Sequence, residues 1–433
     1  MNPRPLSALA LTTLTALVVA APVSLPPAGA ALPATCQGEP ATIVSAAQEV
    51  VGTEGRDVVV AGSDARVRTL GGDDLVCMVK AAGSNMFTVD AGAGDDVVDT
   101  TQVPGSHYGT IDLGAGSDRF VGGSSHDGVV ADAPGSAEDD VVDTGRGDDH
   151  VTTGTHGLPN GDTVLLGRGD DGVRLQGSVL TGTPVDGGPG DNLLSFEEEG
   201  VALDLDAAAG TALRGGSPWA RWAGFDTFEL WKSPSAFAFR GSDRPERVVF
   251  YREYDGAPRS IDLAGGDDAL HLYEATVGDD YRGGAGQDFA FVVSPTDDLA
   301  IDLAAGTVHF DQEEGAVEGT IGGFEGVQAV AQRATLKGTV GADNLVLTGC
   351  ELRASGRRGA DSITRISDWL FEVFTFSDCK RTARAVFHGG RGHDVIRGSL
   401  GDDVLRGGRG RDEADGWAGS DLCRAEKKQK CER

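Results

Sequence analysis

Four aspartates near the end of the chain, Asp394, Asp403, Asp412 and Asp421, recur every nine residues. A glycine stands two positions before each one (Gly392, Gly401, Gly410, Gly419), and Ile396, Leu405, Ala414 or Cys423 stands two positions after. A carboxylate held at fixed register beside a glycine bend places anionic oxygen next to exposed backbone carbonyls. That donor set suits Ca²⁺, which takes roughly six to eight hard oxygens in a flexible shell, better than Mg²⁺, which demands octahedral geometry and keeps its waters. Gly-Asp pairs also make ordinary solvated turns, but four consecutive blocks agreeing at three positions speak for a repeated site.

The positioning elements follow from a second period. Asp74, Asp96, Asp118, Asp140 and Asp162 are each 22 residues apart, and two positions on lies Val76, Val98, Phe120, Val142 or Val164. Asp127, Asp149 and Asp171 form a second 22-residue register, followed by Val129, Val151 and Val173. A glycine bend reverses the chain through φ > 0 conformations, and a short strand then points one aliphatic residue inward. One coil cannot bury that residue. Coils stacked about 4.8 Å apart can, by pairing their strands in parallel. A helical reading fails, because interior glycines each cost about 1 kcal/mol against Ala and no i, i+3, i+4, i+7 stripe persists. The expected fold is all-β, a parallel β-roll or β-solenoid of 18- to 22-residue coils with little helix.

The blocks Gly389 to Arg397, Gly398 to Arg406, Gly407 to Asp415 and Gly416 to Arg424 resemble the RTX nonapeptide, G-G-x-G-x-D-x-U-x, a calcium-binding repeat. The resemblance is specific over residues 389–424 and decayed over 52–196 and 263–363. It implies a roll in which two nonapeptides make one 18-residue turn, with calcium between bends stacked on the same side. Asp394 and Asp412 would then share one ion, and Asp403 and Asp421 another on the opposite edge. Carbonyls of the glycine bends, Gly389 to Gly392 with Gly398, Gly401, Gly407 and Gly410 in equivalent places, would complete the shells. Asp74, Asp96, Asp118, Asp127, Asp140, Asp149, Asp162 and Asp171 are the corresponding ligands of the 22-residue coils. Asn192 and Arg66, where aspartate is replaced, would make spacers.

Composition fits this reading. The 433 residues include 65 glycines and only 6% aromatics, with 67 acidic against 37 basic side chains for a net charge of −30. Such a surface excludes nucleic acid and anionic lipid as partners. It also opposes compaction by self-repulsion, which about a dozen calcium sites with two aspartates each would largely cancel.

The organisation expected is a signal peptide over 1–30, a solenoid of 22-residue coils over 31–195, an irregular solenoid section over 196–380 and an RTX roll over 381–433. Arg4, the apolar run from Ala8 to Ala20 and Ala28-Gly29-Ala30 supply the three parts of a secretory leader, and no later stretch could span a bilayer. Two related modules mark the irregular section: Ala202-Leu203-Asp204-Leu205 with Gly224-Phe225, and Ala300-Ile301-Asp302-Leu303 with Gly323-Phe324. They read as longer coils and loops, with Trp219, Trp222, Trp231 and the Phe cluster at 371–376 as candidates for a small packed subdomain. Six cysteines in an exported chain allow fifteen pairings, of which Cys36–Cys77, Cys350–Cys379 and Cys423–Cys431 are the shortest in sequence. The basic tail with Lys427, Lys428 and Lys430 reads as a disulfide-closed cap on the strand edge.

Catalytic signatures are missing: there is no H-E-x-x-H, G-x-S-x-G or P-loop. Eight histidines are scattered, with His126, His150 and His393 beside aspartates and solvent-facing, and Glu197-Glu198-Glu199 and Glu313-Glu314 read as exposed charge runs. The expectation is a secreted, extracellular, non-catalytic calcium-binding protein serving as a structural, cell-surface or adhesion-type module. Its expected partners are calcium ions and a cell-surface polymer or glycan. The alternative is a parallel β-helix polysaccharide lyase, epimerase or glycosidase, drawing on Trp219, Trp222, Trp231, Tyr251, Arg252 and Tyr254.

Overall fold

One inward aliphatic residue per short strand produces two long parallel sheets facing each other across a narrow core. The computed structural model describes residues 32–432 apart from 82, 181–183, 233, 252–257, 274, 313–314, 367–378 and 380–382. The leader segment, Arg252, Tyr254, the Phe cluster at 371–376 and Glu313-Glu314 lie outside the described residues. Leu32–Arg433 forms one compact unit, 54% strand with no helix among the described residues. No helix there is long and apolar enough to cross a membrane.

On one face a single run of parallel pairings extends from the strand Tyr108–Asp112 to Lys427–Gln429. Its central inward residue changes from Ile111 and Val129 through Phe228 and Leu270 to Ile396 and Ala414, each at most 1% exposed. On the other face Val76, Val98, Phe120, Val142 and Val164 stand in line, each at 0% exposure. In the C-terminal coils Leu336, Ala354, Phe387, Leu405 and Cys423 do the same work. Stacking thus supplies the core of these coils, as a chain poor in aromatics requires.

The irregular section differs from the expected long coils. Leu203–Asp206, Thr211–Arg214 and Ser217–Ala223 form an antiparallel meander, and Phe289–Asp302, Thr307–Gln312 and Gly315–Gly322 form a second. Each rejoins the parallel stack through its outer strands. Period-two alternation serves a hairpin as well as a coil, so the sequence pattern alone does not separate them. Trp219 and Trp222 are buried against Phe196. They are part of the common core. The disulfides are Cys36–Cys77, Cys350–Cys379 and Cys423–Cys431, and Lys427–Gln429 adds a parallel strand to Glu413–Asp415.

Candidate metal-binding turns

The bends between the two faces stack into edges. Along one edge every coil from Asp127 onward contributes one acid or amide at the same place. Backbone bonds to successive carbonyls link Asp149, Asp171, Asn192, Asp226, Glu246, Asp268, Asp288, Glu325, Asp343, Asp361, Asp394 and Asp412. The side chains follow the same ladder: the N–H of Asp361 donates to Asp394 Oδ1 at 3.0 Å, and that of Asp394 to Asp412 Oδ1 at 3.1 Å. Asp412 in turn donates to Glu426 Oε2 at 2.9 Å, which closes the row. Asp394 and Asp412 thus lie on adjacent coils of one edge. The other edge carries the ladder from Asp57 through Asp74, Asp96, Asp118 and Asp140 to Asp162, and near the C-terminus Asp403 donates to Asp421 Oδ1 at 2.9 Å. Asn192 keeps its place in the row, accepting from the Asp171 N–H. Arg66 instead sits in a strand facing Thr88.

One ladder bond engages one carboxylate oxygen. In eleven aspartates (74, 96, 118, 149, 171, 268, 288, 361, 394, 412 and 421) the second oxygen, Oδ2, is buried with no hydrogen-bond partner. Leaving a charged acceptor so is costly, and the cost appears in the titration. Burial pushes Asp96 up to about 8, Asp140 to about 9, and Asp149, Asp268 and Asp361 to about 7, opposed by the ladder bonds. Asp394 and Asp403 also move up, again through burial.

The backbone around these oxygens has the features of an oxygen cage. The first glycine of each C-terminal block lies directly under the acid. A Cβ on Gly389, Gly398, Gly407 or Gly416 would strike Oδ2 of Asp394, Asp403, Asp412 or Asp421. At the fourth position Gly392 and Gly410 hold φ of 145° and 152°, and a Cβ on Gly410 would meet the Gly392 carbonyl oxygen. Gly401 offers its carbonyl to Gly419 in the same manner. Carboxylate and carbonyl oxygens, with no nitrogen or sulfur donor, form a hard-cation donor set.

A family model, that of the RTX calcium-binding nonapeptide repeat, matches four copies in the chain, at residues 110–131, 135–155 and 388–423. This is an RTX-repeat protein. No curated protein matches it. The repeats mark it as a calcium-binding protein, and the orphaned buried oxygens fit the ion: Asp361, Asp394 and Asp412 on one edge and Asp74, Asp96 and Asp118 on the other would hold it. Bound calcium would supply the positive charge that lets these acids stay ionised away from water.

Not every sixth-position acid is left bare. Asp403 has both oxygens engaged, by Ser399 and by the Ala385 N–H at 2.6 Å, so it differs from its partner Asp421. Asp127 Oδ2 accepts from Thr100 and Ser125 at 3.0 and 3.1 Å, while its Oδ1 is buried with no hydrogen-bond partner. Thr153 donates to Asp162. Asp140 and Asp162 are joined by Asp132, their oxygens within 4.8 Å of one another. Asp132 lies in an insertion outside the 22-residue period, which hid it. Asp279 is held by Arg259 Nη2 at 2.6 Å and by Tyr281, with Arg259 only 1% exposed. Asp226, Glu246, Glu325 and Glu426 were also hidden, because coil length varies and Glu carries an extra methylene.

Two sequence readings change. Glu198 is buried against Arg214 at 3.0 Å and is not part of an exposed run. His126 is only partly exposed, and its Nδ1 accepts the N–H of Asp148 at 3.0 Å, while His393 is exposed as expected and its Nδ1 accepts the N–H of Arg411 at 2.9 Å.

Proposed function

We propose that this chain is a secreted protein whose solenoid folds when it binds calcium, and that it acts as a structural, cell-surface or adhesion-type module toward a surface polymer or glycan. The observation that carries the reading is the row of buried, partnerless Oδ2 atoms on Asp361, Asp394 and Asp412. A site that exists only when coils are stacked turns ion-binding free energy into folding free energy. Extracellular modules of this kind bind at roughly 10⁻⁴–10⁻³ M, so folding would follow export from low cytosolic calcium. Three disulfides suit an oxidising compartment.

The test is a circular-dichroism titration with Ca²⁺, Mg²⁺ and chelator. The expected outcome is an expanded ion-free chain and a β-rich calcium form; an unchanged spectrum across millimolar Ca²⁺ would overturn the coupling.

One cluster supports the carbohydrate-active alternative. The Tyr251 hydroxyl donates to Glu229 Oε1 at 2.6 Å, its ring stacks on Trp231 at 4.1 Å, and Arg174 lies over Trp231. Burial and Glu229 push the phenol up, the wrong direction for a general base, so this reading is second. Cleavage of an acidic glycan that Tyr251→Phe abolishes would promote it.

A further inference from the structure

Each bend runs six residues from its first position to the acid, and the bends fall into two kinds. In five of them the second residue is Ser or Thr: Thr53 before Asp57, Ser136 before Asp140, Ser242 before Glu246, Thr339 before Asp343 and Ser399 before Asp403. Ser136 gives its hydroxyl to Glu138 at 2.5 Å; the other four make one and the same clamp. The backbone N–H of the second residue donates to the acid, at 2.7 Å for Thr53 and Thr339 and 3.2 Å for Ser242, and Ser399 donates likewise. Each hydroxyl also donates to the acid, from Thr53 at 3.0 Å, Thr339 at 2.9 Å and Ser399 at 2.7 Å, and from Ser242. That hydroxyl oxygen then accepts the N–H two residues on, from Gly55, Arg244, Gly341 or Gly401.

In the eleven bends with a bare Oδ2 the second residue is neither Ser nor Thr, and in all eleven it is left-handed. Gly92, Gly114, Gly145, Gly167, Gly284, Gly390 and Gly408 have φ from 84° to 125°. Leu70, Ala264, Arg357 and Trp417 hold φ of 79°, 66°, 70° and 71° at the same place, a conformation that residues with a Cβ adopt reluctantly. Four side chains kept in that state, always above an orphaned carboxylate oxygen, show that the bare oxygen is not a by-product of glycine.

We propose that the second residue of each bend selects whether that bend takes a calcium ion: a left-handed residue leaves the acid open to the ion, and a Ser or Thr that clamps the acid replaces the ion with its own N–H and O–H. The inference rests on the calcium reading above and adds a map to it. Asp361, Asp394, Asp412 and Asp421 are ligands in the C-terminal coils. Asp403, Asp343, Glu246 and Asp57 are not.

The discriminating variant is Ser399→Gly in the full chain, since glycine is the residue most open bends already use there. Calcium stoichiometry is read by isothermal titration calorimetry, with circular dichroism on the same samples. Ser399→Gly is expected to gain one equivalent over wild type, and Asp403→Asn in that background to lose it again. The converse variant, Gly408→Ser, is expected to lose one equivalent. An unchanged count in Ser399→Gly overturns the inference even where Gly408→Ser misfolds. A wild-type chain that takes up no calcium defeats the underlying calcium reading instead, so the two failures are told apart.

Discussion

The bends at Asp394 and Asp279 bury a carboxylate to the same depth, each 1% exposed, and neutralise it by opposite means. Asp394 ends in a bare oxygen above Gly389. Asp279 ends in a guanidinium, Arg259, sandwiched between Phe250 and Tyr281 at 5.0 and 5.7 Å. The backbone ladder is the same in both: the Arg259 N–H donates to Asp279 Oδ1 at 2.7 Å, as the Asp361 N–H does to Asp394. A stack of parallel coils therefore needs every buried acid to be met, by an ion, by an internal arginine or, as at Asp403, by the N–H and O–H of a serine. An internal arginine makes a bend independent of the medium, whereas an external ion makes it a switch.

The largest effect expected is from ion removal. Chelator should strip hydrogen-exchange protection from Val395–Arg397 and Val404–Gly410 while Arg259–Asp262 and Asp280–Arg282 hold theirs longer. Equal loss in both would break the contrast. Next is Arg259→Met, which leaves Asp279 buried and unpaired. It should cost about 3–5 kcal/mol in urea unfolding of the calcium form, and a deficit that further calcium repairs would count against the internal-cation role.

A pH series sharpens the same point. Asp96, Asp140 and Asp361 have folded values of about 8, 9 and 7 against an ordinary 3.8. The ion-free fold therefore binds more protons than the unfolded chain between those limits. Its stability is fully present below about pH 4 and is lost as pH rises through the folded values, by about 1.4 kcal/mol per unit for each group. The β content of the ion-free chain should thus fall from pH 5 to pH 8, and calcium should restore it with proton release. A β content that rises over this range without calcium would contradict the burial argument. The smallest effect is Ala264→Gly, which relieves a left-handed alanine and should stabilise the chain by up to about 1 kcal/mol; a loss of stability would mean that the residue packs more than it strains.

Much of this was legible in the residues. The nine- and 22-residue periods place Asp394 over Asp412 and Val98 over Phe120 without any structure, because a parallel stack has no other way to bury one aliphatic per strand. Asp226, Glu246, Glu325 and Glu426 were not legible. Glu246 keeps the 22-residue spacing to Asp268 and was hidden by its residue type, whereas Glu325 and Glu426 stand 37 and 14 residues from their ladder partners, spacings set by hairpins and loops that the coil does not require to be constant. Asp132 was missed for the same reason. The clamp, by contrast, was written in the sequence all along as G-[ST]-x-x-x-[DE], and it became readable only once the second residue's dihedral and the acid's second oxygen were seen together.

By itself the sequence determined a stacked β architecture, its strand register and an excess of acid that some cation must meet, since these depend on residue type and period alone. Tertiary structure decided which acids have a spare oxygen and what fills it. That depends on a side chain from another coil, as with Arg259 for Asp279, or on the sign of one φ angle, and neither is set by spacing along the chain.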